Sequence, residues 1–519
     1  MKGRLQNSLM NVLTGIFGQF FSYILSFIIR SVFIYTLGEV YLGLNGLYSN
    51  ILSVLNLAEL GLGTAIVVEL YRTVGQKDDE KTKEYLDLYR KAYYVIGCVI
   101  LFAGLVMLPF LDNFINDKEL LNLIDYRLVF VLYLINTVFS YFFMEYRMSI
   151  VQANQVEYKC RIISYAIKLV EMVLQVVSLL CLKNIYVYLI IPIVLGCFST
   201  SLRGFLIGKW YPIVKDRPLG KLSKEEKRKA WKNILAVSVY KISGTVINST
   251  DNIVISSYVS VILTGIYSNY LIILSAVQTI LEKLFSAFTA SLGNLNVLEG
   301  ENITKKYQVF QTMWFLNYWL YGFCGVCMFV LFEPFIKFWI GKQFLLGTST
   351  EFVIVVNFLI LGLQQTVAIH RAAYGLFYKG RYRPIFSVLV NIGTSIAFVN
   401  ILSPQYGVVA VLMGTIISTI SVSWWFDTWV VYTNAFGKKP YRYYVVYMLR
   451  LAFIVINCIF IKWICNKIVL PEFAEIVVYG VICVLFYNLA FFFVYRKNHE
   501  CGEMKFLLQQ VCLRFIKKR

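Results

Sequence analysis

What most constrains this chain is how little of it could face water: from Asn11 to Tyr495, apolar runs follow one another almost without a break. A run of about 20 apolar residues crosses a bilayer as a helix, because a helix satisfies its own backbone hydrogen bonds where there is no water. With 59% hydrophobic, 17% aromatic and only 15% charged residues in 519, no soluble domain fits between the runs. The fold class expected is an all-α polytopic membrane protein. The first run follows Lys2 and Arg4, as a signal peptide would, but it extends to about Leu37 without a small-residue cleavage site. It reads as a retained span.

A formal charge of +20 would suit nucleic acid if the basic residues gathered on a folded surface, yet here they lie in the connections between spans. No nucleic-acid partner is expected. The 11 cysteines lie mostly inside apolar runs, where a thiol packs as a small hydrophobe. The one CxxC, Cys324 to Cys327, has no histidine nearby, so no metal is expected.

Polar breaks divide the chain into about fourteen apolar segments, the second centred near Leu57. An even number puts both ends on one side. With the ends cytoplasmic, only Lys118, Lys183, Lys342 and Lys467 of the 49 lysines and arginines fall in outer connections, as the positive-inside rule requires. The inner connection from Gly208 to Lys232 is the most basic and carries a capping-box pattern from Ser223 to Glu226. It is the natural boundary between two halves.

A short repeat gives those halves a meaning. LNGLYSN (Leu44 to Asn50) opens the second span and LTGIYSN (Leu263 to Asn269) opens the eighth. A second echo sets YRMSIVQANQVEY (Tyr146 to Tyr158) against HRAAYGLFYKGRY (His370 to Tyr382), with Arg147 opposite Arg371. Units of six spans enter the membrane from the same side, so the expected architecture is two parallel six-helix lobes plus two further helices. The expected divisions are 1–207 for the first lobe, 208–232 for the connector, 233–432 for the second lobe, 447–494 for helices thirteen and fourteen, and 495–519 for a basic amphipathic tail. Two such lobes rock against each other around a central path, which is alternating access.

Charges inside spans cost roughly 2.5–3.5 kcal/mol on insertion scales, so they usually face a partner or a polar cavity. In span five Ser164, Lys168, Glu171, Gln175 and Ser178 recur at helical spacing and draw one polar stripe. Span one has Asn11, Gly15, Gly18, Ser22, Ser26 and Arg30; span seven has Lys241, Thr245, Asn248 and Asn252, with Asp251 adjacent. Arg30, Arg147, Lys168, Lys241, Lys283 and Arg371 together would make a cationic cavity for a bulky phosphorylated substrate. Glu59, Glu171 and Asp251 are the candidates for binding a coupling H⁺ or Na⁺; Asp251 is also expected beside Arg30 as its resting partner. No other cofactor is expected. Plainer accounts compete: interhelical hydrogen bonds for the serines and asparagines, a one-turn ion pair for Lys168 and Glu171, snorkelling for Arg147 and Arg371, and the interfacial aromatic belt for Asp427 among Trp424, Trp425 and Trp429.

The early arginine, ELGLGTA at Glu59 to Ala65, STDNIVIS at Ser249 to Ser256 followed by TGIYSNY, and YRMSIVQANQVEY resemble the Wzx-type polysaccharide flippases of the multidrug/oligosaccharidyl-lipid/polysaccharide exporter superfamily. The likeness covers nearly the whole chain. It implies fourteen spans as six, six and two, and movement of an undecaprenyl-pyrophosphate-linked oligosaccharide from the inner to the outer leaflet of a bacterial cytoplasmic membrane. It further implies a monomer in contact with membrane lipids, with a polysaccharide polymerase and glycosyltransferases as partners in capsule, O-antigen or exopolysaccharide synthesis. Many relatives carry an aspartate before the last glutamine of QANQ (Gln152 to Gln155), so no ion site is carried over there.

The alternatives within the superfamily are a peptidoglycan-precursor flippase and a multidrug exporter. From another class come a membrane polymerase or glycosyltransferase, which need an outer catalytic loop. The longest outer connection, Leu111 to Asp125, is short and lacks an acidic pair at active-site spacing, and no Walker motif occurs. No enzyme is expected.

Overall fold

The computed structural model describes residues 2–56, 59–115, 125–216, 218–220, 222–286, 288, 292, 302–376, 378–402 and 406–503, and all regular structure among them is helical. The chain forms two compact units, Met1–Ser268 and Asn269–Arg519. The first holds α1 (Lys2–Leu37), α2 (Glu39–Leu55), α3 (Glu59–Gln76), α4 (Asp79–Met107), α5 (Tyr126–Phe142), α6 (Met148–Ala153), α7 (Glu157–Leu182), α8 (Ile185–Trp210), α9 (Lys224–Tyr258) and the start of α10 (Val261–Ser286). The second holds the rest of α10, then α11 (Ile303–Ile340), α12 (Thr348–Gly362), α13 (Gln365–Ala373), α14 (Arg383–Ile401), α15 (Gly407–Ser418), α16 (Trp425–Ala435), α17 (Tyr441–Cys465) and α18 (Glu472–Tyr495).

Among the described residues, 11 helical stretches are long and apolar enough to cross a membrane, and α5 with the bent Met144–Ala153 segment, at 46°, makes up to 12. The second apolar segment differs from expectation: near Leu57 α2 has stopped at Leu55 and α3 restarts at Glu59. The last bond of the first helix runs from the Asn56 N–H to the Leu52 carbonyl. The seventh segment is α9, which is not counted with the others because polar residues recur along its length, Asn248 to Asn252 among them.

Helices start where the sequence supplies an acceptor for orphan N–H groups. Asp78 accepts from Lys81 N, Asp125 from Leu128 N, Asn184 from Tyr186 N and Asn302 from Lys305 N. The Ser223–Glu226 capping box forms in both directions at the head of α9. In the second unit the span made of α12 and α13 breaks at Gly362, and the buried Asn317 amide of α11 takes up the freed carbonyls of Gly362 and Leu363 at 3.1 and 3.2 Å.

Polarity is inverted relative to a soluble protein. On α7, Ile162, Leu169, Val173 and Val177 are exposed while Glu171, Gln175 and Ser178 are buried, as a lipid-facing helix requires. Within the first unit α1 packs on α7, α2 and α3 on α9, and α5 on α8; within the second, α11 packs on α12, α17 and α18, and α14 on α15.

The repeated phrase packs near its own echo. A Cβ on Gly265 would lie 2.7 Å from Gly43 N, and the Gly46 face looks onto Thr264 and Ser268. Small residues bring the α2 and α10 backbones together here. The expected tail beyond Glu503 lies outside the described residues; just before it, Cys501 is buried and Glu503 accepts a hydrogen bond from Thr312.

Candidate functional site

In the first unit the sequence candidates from spans one and five come together around Tyr188. Arg30 of α1 donates through Nη2 to Ser268 Oγ, with Tyr188 and Tyr133 as its electrostatic neighbours. Phe33, one turn on, packs edge-on against Tyr188 at 5.1 Å, and Gln175 Nε2 of α7 donates to the Tyr188 carbonyl at 3.3 Å. Glu171 also bears electrostatically on Tyr188 and binds Lys168 Nζ at 2.6 Å. Lys168 is itself exposed, so these two form a one-turn ion pair at the edge of the buried stripe. The polar atoms gathered here are a guanidinium, phenol and serine hydroxyls, an amide and a carboxylate.

The other candidates have different surroundings. Arg147 Nη1 donates to the Gly204 carbonyl at 2.8 Å and its guanidinium lies over the Tyr146 ring, which ties the α5–α6 junction to α8. Arg371 is buried and meets Asp427 Oδ2 at 2.6 Å, which replaces snorkelling by a buried ion pair. Asp427 is buried as well, so it is not a marker of the interfacial belt. Lys283 is exposed on α10. Asp251 is 5% exposed on α9, beside Tyr267. The side chains of Lys241 and Glu59 lie outside the described residues. The five expected cations whose side chains are described thus fall in several environments, and Arg30 has Ser268 as a hydrogen-bond partner.

The second echo acquires a physical counterpart. The register that sets Arg147 opposite Arg371 sets Arg203 opposite Asp427. In the first unit Arg203 pairs with Glu145 through Nη2 at 2.9 Å and Nη1 at 3.3 Å. In the second, Asp427 pairs with Arg371 and also with Arg383 at 2.9 Å. Each unit ties the end of its fourth span to its sixth with a charge pair, and the sense of the pair is reversed.

Several polar groups were missed from the sequence. Glu351 and Lys462, both buried, form a charge network with the half-exposed Glu333 in the second unit, and Arg450 lies over Trp314 at 3.9 Å. Each sits near the end of an apolar run, where a charge ordinarily reads as an interfacial anchor. A cavity of about 750 Å³ in the second unit is lined by Leu292, Val309 and Met313 with Lys305, Thr312 and His499. Among the described residues no cluster of His, Cys, Asp and Glu could hold a metal ion, and the ten described cysteines are free thiols.

This fold is similar to that of solved membrane transporters. It is similar to the Lipid II flippase MurJ in an inward closed conformation (15% identity, 93% of this chain and 99% of that one, TM-score 0.64). It is also similar to an inward-facing multidrug resistance MATE family transporter (15%, 83% and 94%, TM-score 0.59) and to a MOP superfamily transporter from Pyrococcus furiosus (14%, 84% and 97%, TM-score 0.53). No protein-family model matches the chain, and no curated protein sequence matches it.

Proposed function

We propose that the protein moves a lipid-linked, pyrophosphate-bearing oligosaccharide from the inner to the outer leaflet of a bacterial cytoplasmic membrane, by alternating access of two six-span lobes. The observation that carries this is Arg30, a guanidinium within an apolar span, bonded to Ser268 and close to Tyr188 and Tyr133. A neutral drug needs no such group. A diphosphate does, because a guanidinium fork matches two phosphate oxygens. Both termini are then cytoplasmic, H⁺ or Na⁺ drives the cycle, and the cargo serves capsule, O-antigen or exopolysaccharide synthesis beside a polymerase and glycosyltransferases. The similarity to transporter structures, together with the self-packing phrase and the charge pair at equivalent places in both units, supports a duplicated transporter rather than an enzyme.

Arg30→Ala and Arg30→Lys test it. The alanine variant is expected to stay monodisperse in detergent and to lose outward movement of the lipid-linked oligosaccharide; the lysine variant, keeping charge without the fork, retains part of it. Normal export by Arg30→Ala removes Arg30 from the path. Aggregation of Arg30→Ala that Asp251→Ala rescues assigns the two residues to a structural pair instead.

The fold likeness to a Lipid II flippase favours a second reading, transport of a peptidoglycan precursor. Depletion that halts wall synthesis and kills cells with capsule unchanged would select it.

A further inference from the structure

The second unit holds a buried charge network that transport of the cargo does not explain. Glu351, in the first turn of α12, is 1% exposed. Its Oε1 accepts from the Tyr270 hydroxyl of α10 at 3.1 Å and its Oε2 from Lys462 Nζ of α17 at 3.4 Å. Lys462 also meets Glu333 Oε2 of α11 at 3.2 Å and the Phe329 carbonyl at 3.5 Å. The Tyr270 oxygen in turn accepts the Leu346 N–H at 3.1 Å. Three helices, α10, α12 and α17, therefore meet at one carboxyl group, and Lys462 links them to α11.

The charge is unbalanced. One ammonium serves two carboxylates, one in the interior and one, Glu333, whose side chain is half exposed. Among the described residues, α15, GVVAVLMGTIIS, also packs closely on α12 and has no titratable side chain. Around the rim, Cys465 neighbours Lys462 and Tyr479 neighbours Glu333, while Lys337 of α11 pairs with Glu472 at 3.6 Å. A surplus negative charge in an apolar region is relieved most simply by a proton, and Glu333 gives water a route to it.

We propose that Glu351 is a proton-binding site: a proton entering at Glu333 neutralises Glu351, frees it from Lys462 and loosens α12 from α17. The proton comes from water and ends on a Glu351 oxygen; Lys462 keeps its own protons and stays with Glu333 and the Phe329 carbonyl. The site deepens the transporter reading by naming its coupling ion. Its first test does not depend on the cargo.

That test is pH-difference infrared spectroscopy on the full-length protein in liposomes. Lowering the pH should raise a carbonyl stretch of a protonated buried carboxyl, absent from Glu351→Gln and shifted to lower pH in Glu333→Gln, where Lys462 faces one carboxylate instead of two. Lys462→Met removes a counter-charge within about 4 Å and should move the midpoint of that band up by about 1–3 pH units, whereas Lys462→Arg leaves it near the wild-type value. In the wild type, amide exchange at Leu346, corrected for intrinsic rate, should rise across the same transition, and in Glu351→Gln it should be independent of pH. A band that survives Glu351→Gln, a midpoint indifferent to Lys462→Met, or wild-type exchange that ignores the transition overturns the proposal. If Glu351→Gln is not monodisperse, the two lysine variants decide alone. Normal export by Arg30→Ala with the Glu351 band intact removes the cargo reading and leaves this site standing.

Discussion

Asp427→Asn is the substitution whose consequence follows most directly from the geometry. The Asp427 Oδ2 atom takes Arg371 Nη1 at 2.6 Å and Arg383 Nη2 at 2.9 Å, and all three side chains are largely buried. Asparagine keeps the shape and removes the charge, so two buried guanidinia lose a shared anion. Removing one partner of a buried pair costs about 3–5 kcal/mol. Arg383 keeps the Ser423 hydroxyl at 3.0 Å, which holds the loss toward the lower end of that range. The internal reference is Glu145→Gln in the first unit, where Arg203 and Glu145 are 15% and 25% exposed and water screens the pair more. About 1–2 kcal/mol is expected there, between the exposed and buried limits. Unfolding in SDS, followed by tryptophan fluorescence and circular dichroism, reads both. A double-mutant cycle of Asp427→Asn with Arg371→Gln should show coupling of at least about 1 kcal/mol. The reasoning is refuted if Asp427→Asn unfolds within about 1 kcal/mol of wild type, or loses less than Glu145→Gln.

Two further outcomes concern the first unit. Gly265→Ala places a Cβ 2.7 Å from Gly43 N, a backbone contact that cannot give way, so a loss of about 1–3 kcal/mol is expected in the same unfolding assay. Gly46→Ala meets its nearest atom at 3.5 Å and should be tolerated; equal effects of the two would contradict close packing of the repeated phrase. Glu226, outside the spans, is hydrogen-bonded by Lys81 at 2.9 Å and by the Ser223 backbone, which lower its pKa from 4.5 to about 2. Because the folded value is depressed, the capping box contributes above pH 4.5 and is lost as pH falls toward about 2. Amide protection in the first turn of α9 should follow that window in the wild type and be independent of pH in Glu226→Gln, whose amide oxygen still accepts but does not titrate; identical profiles would show that Glu226 does not hold the turn.

Some of the site was visible in the chain because its cause is local. The stripe Glu171, Gln175 and Ser178 is a matter of helical period, and all three side chains are buried as that period implies. The end of α2 at Leu55 was missed for an equally local reason: apolar content continues across Asn56, and hydropathy alone does not register a helix that stops inside an apolar run. Arg371, Asp427, Glu351 and Lys462 were misread or unread because each stands near a run's end, where an interfacial anchor and a buried ion pair look alike in sequence.

The sequence by itself determined that this chain is a helical membrane protein, that a capping box opens the helix after the basic connector, and that a phrase of one half recurs in the other. Apolar length, capping chemistry and repetition are properties of neighbouring residues, and a bilayer leaves the backbone no choice but to close its hydrogen bonds locally. Tertiary structure alone decided which charge meets which. Glu351 and Lys462 are 111 residues apart and Glu145 and Arg203 are 58 apart, brought within reach only by helix packing. Nothing in either local sequence encodes the partner, because an intramembrane ion pair is fixed by which helix faces its neighbours present, and that depends on every helix in the unit.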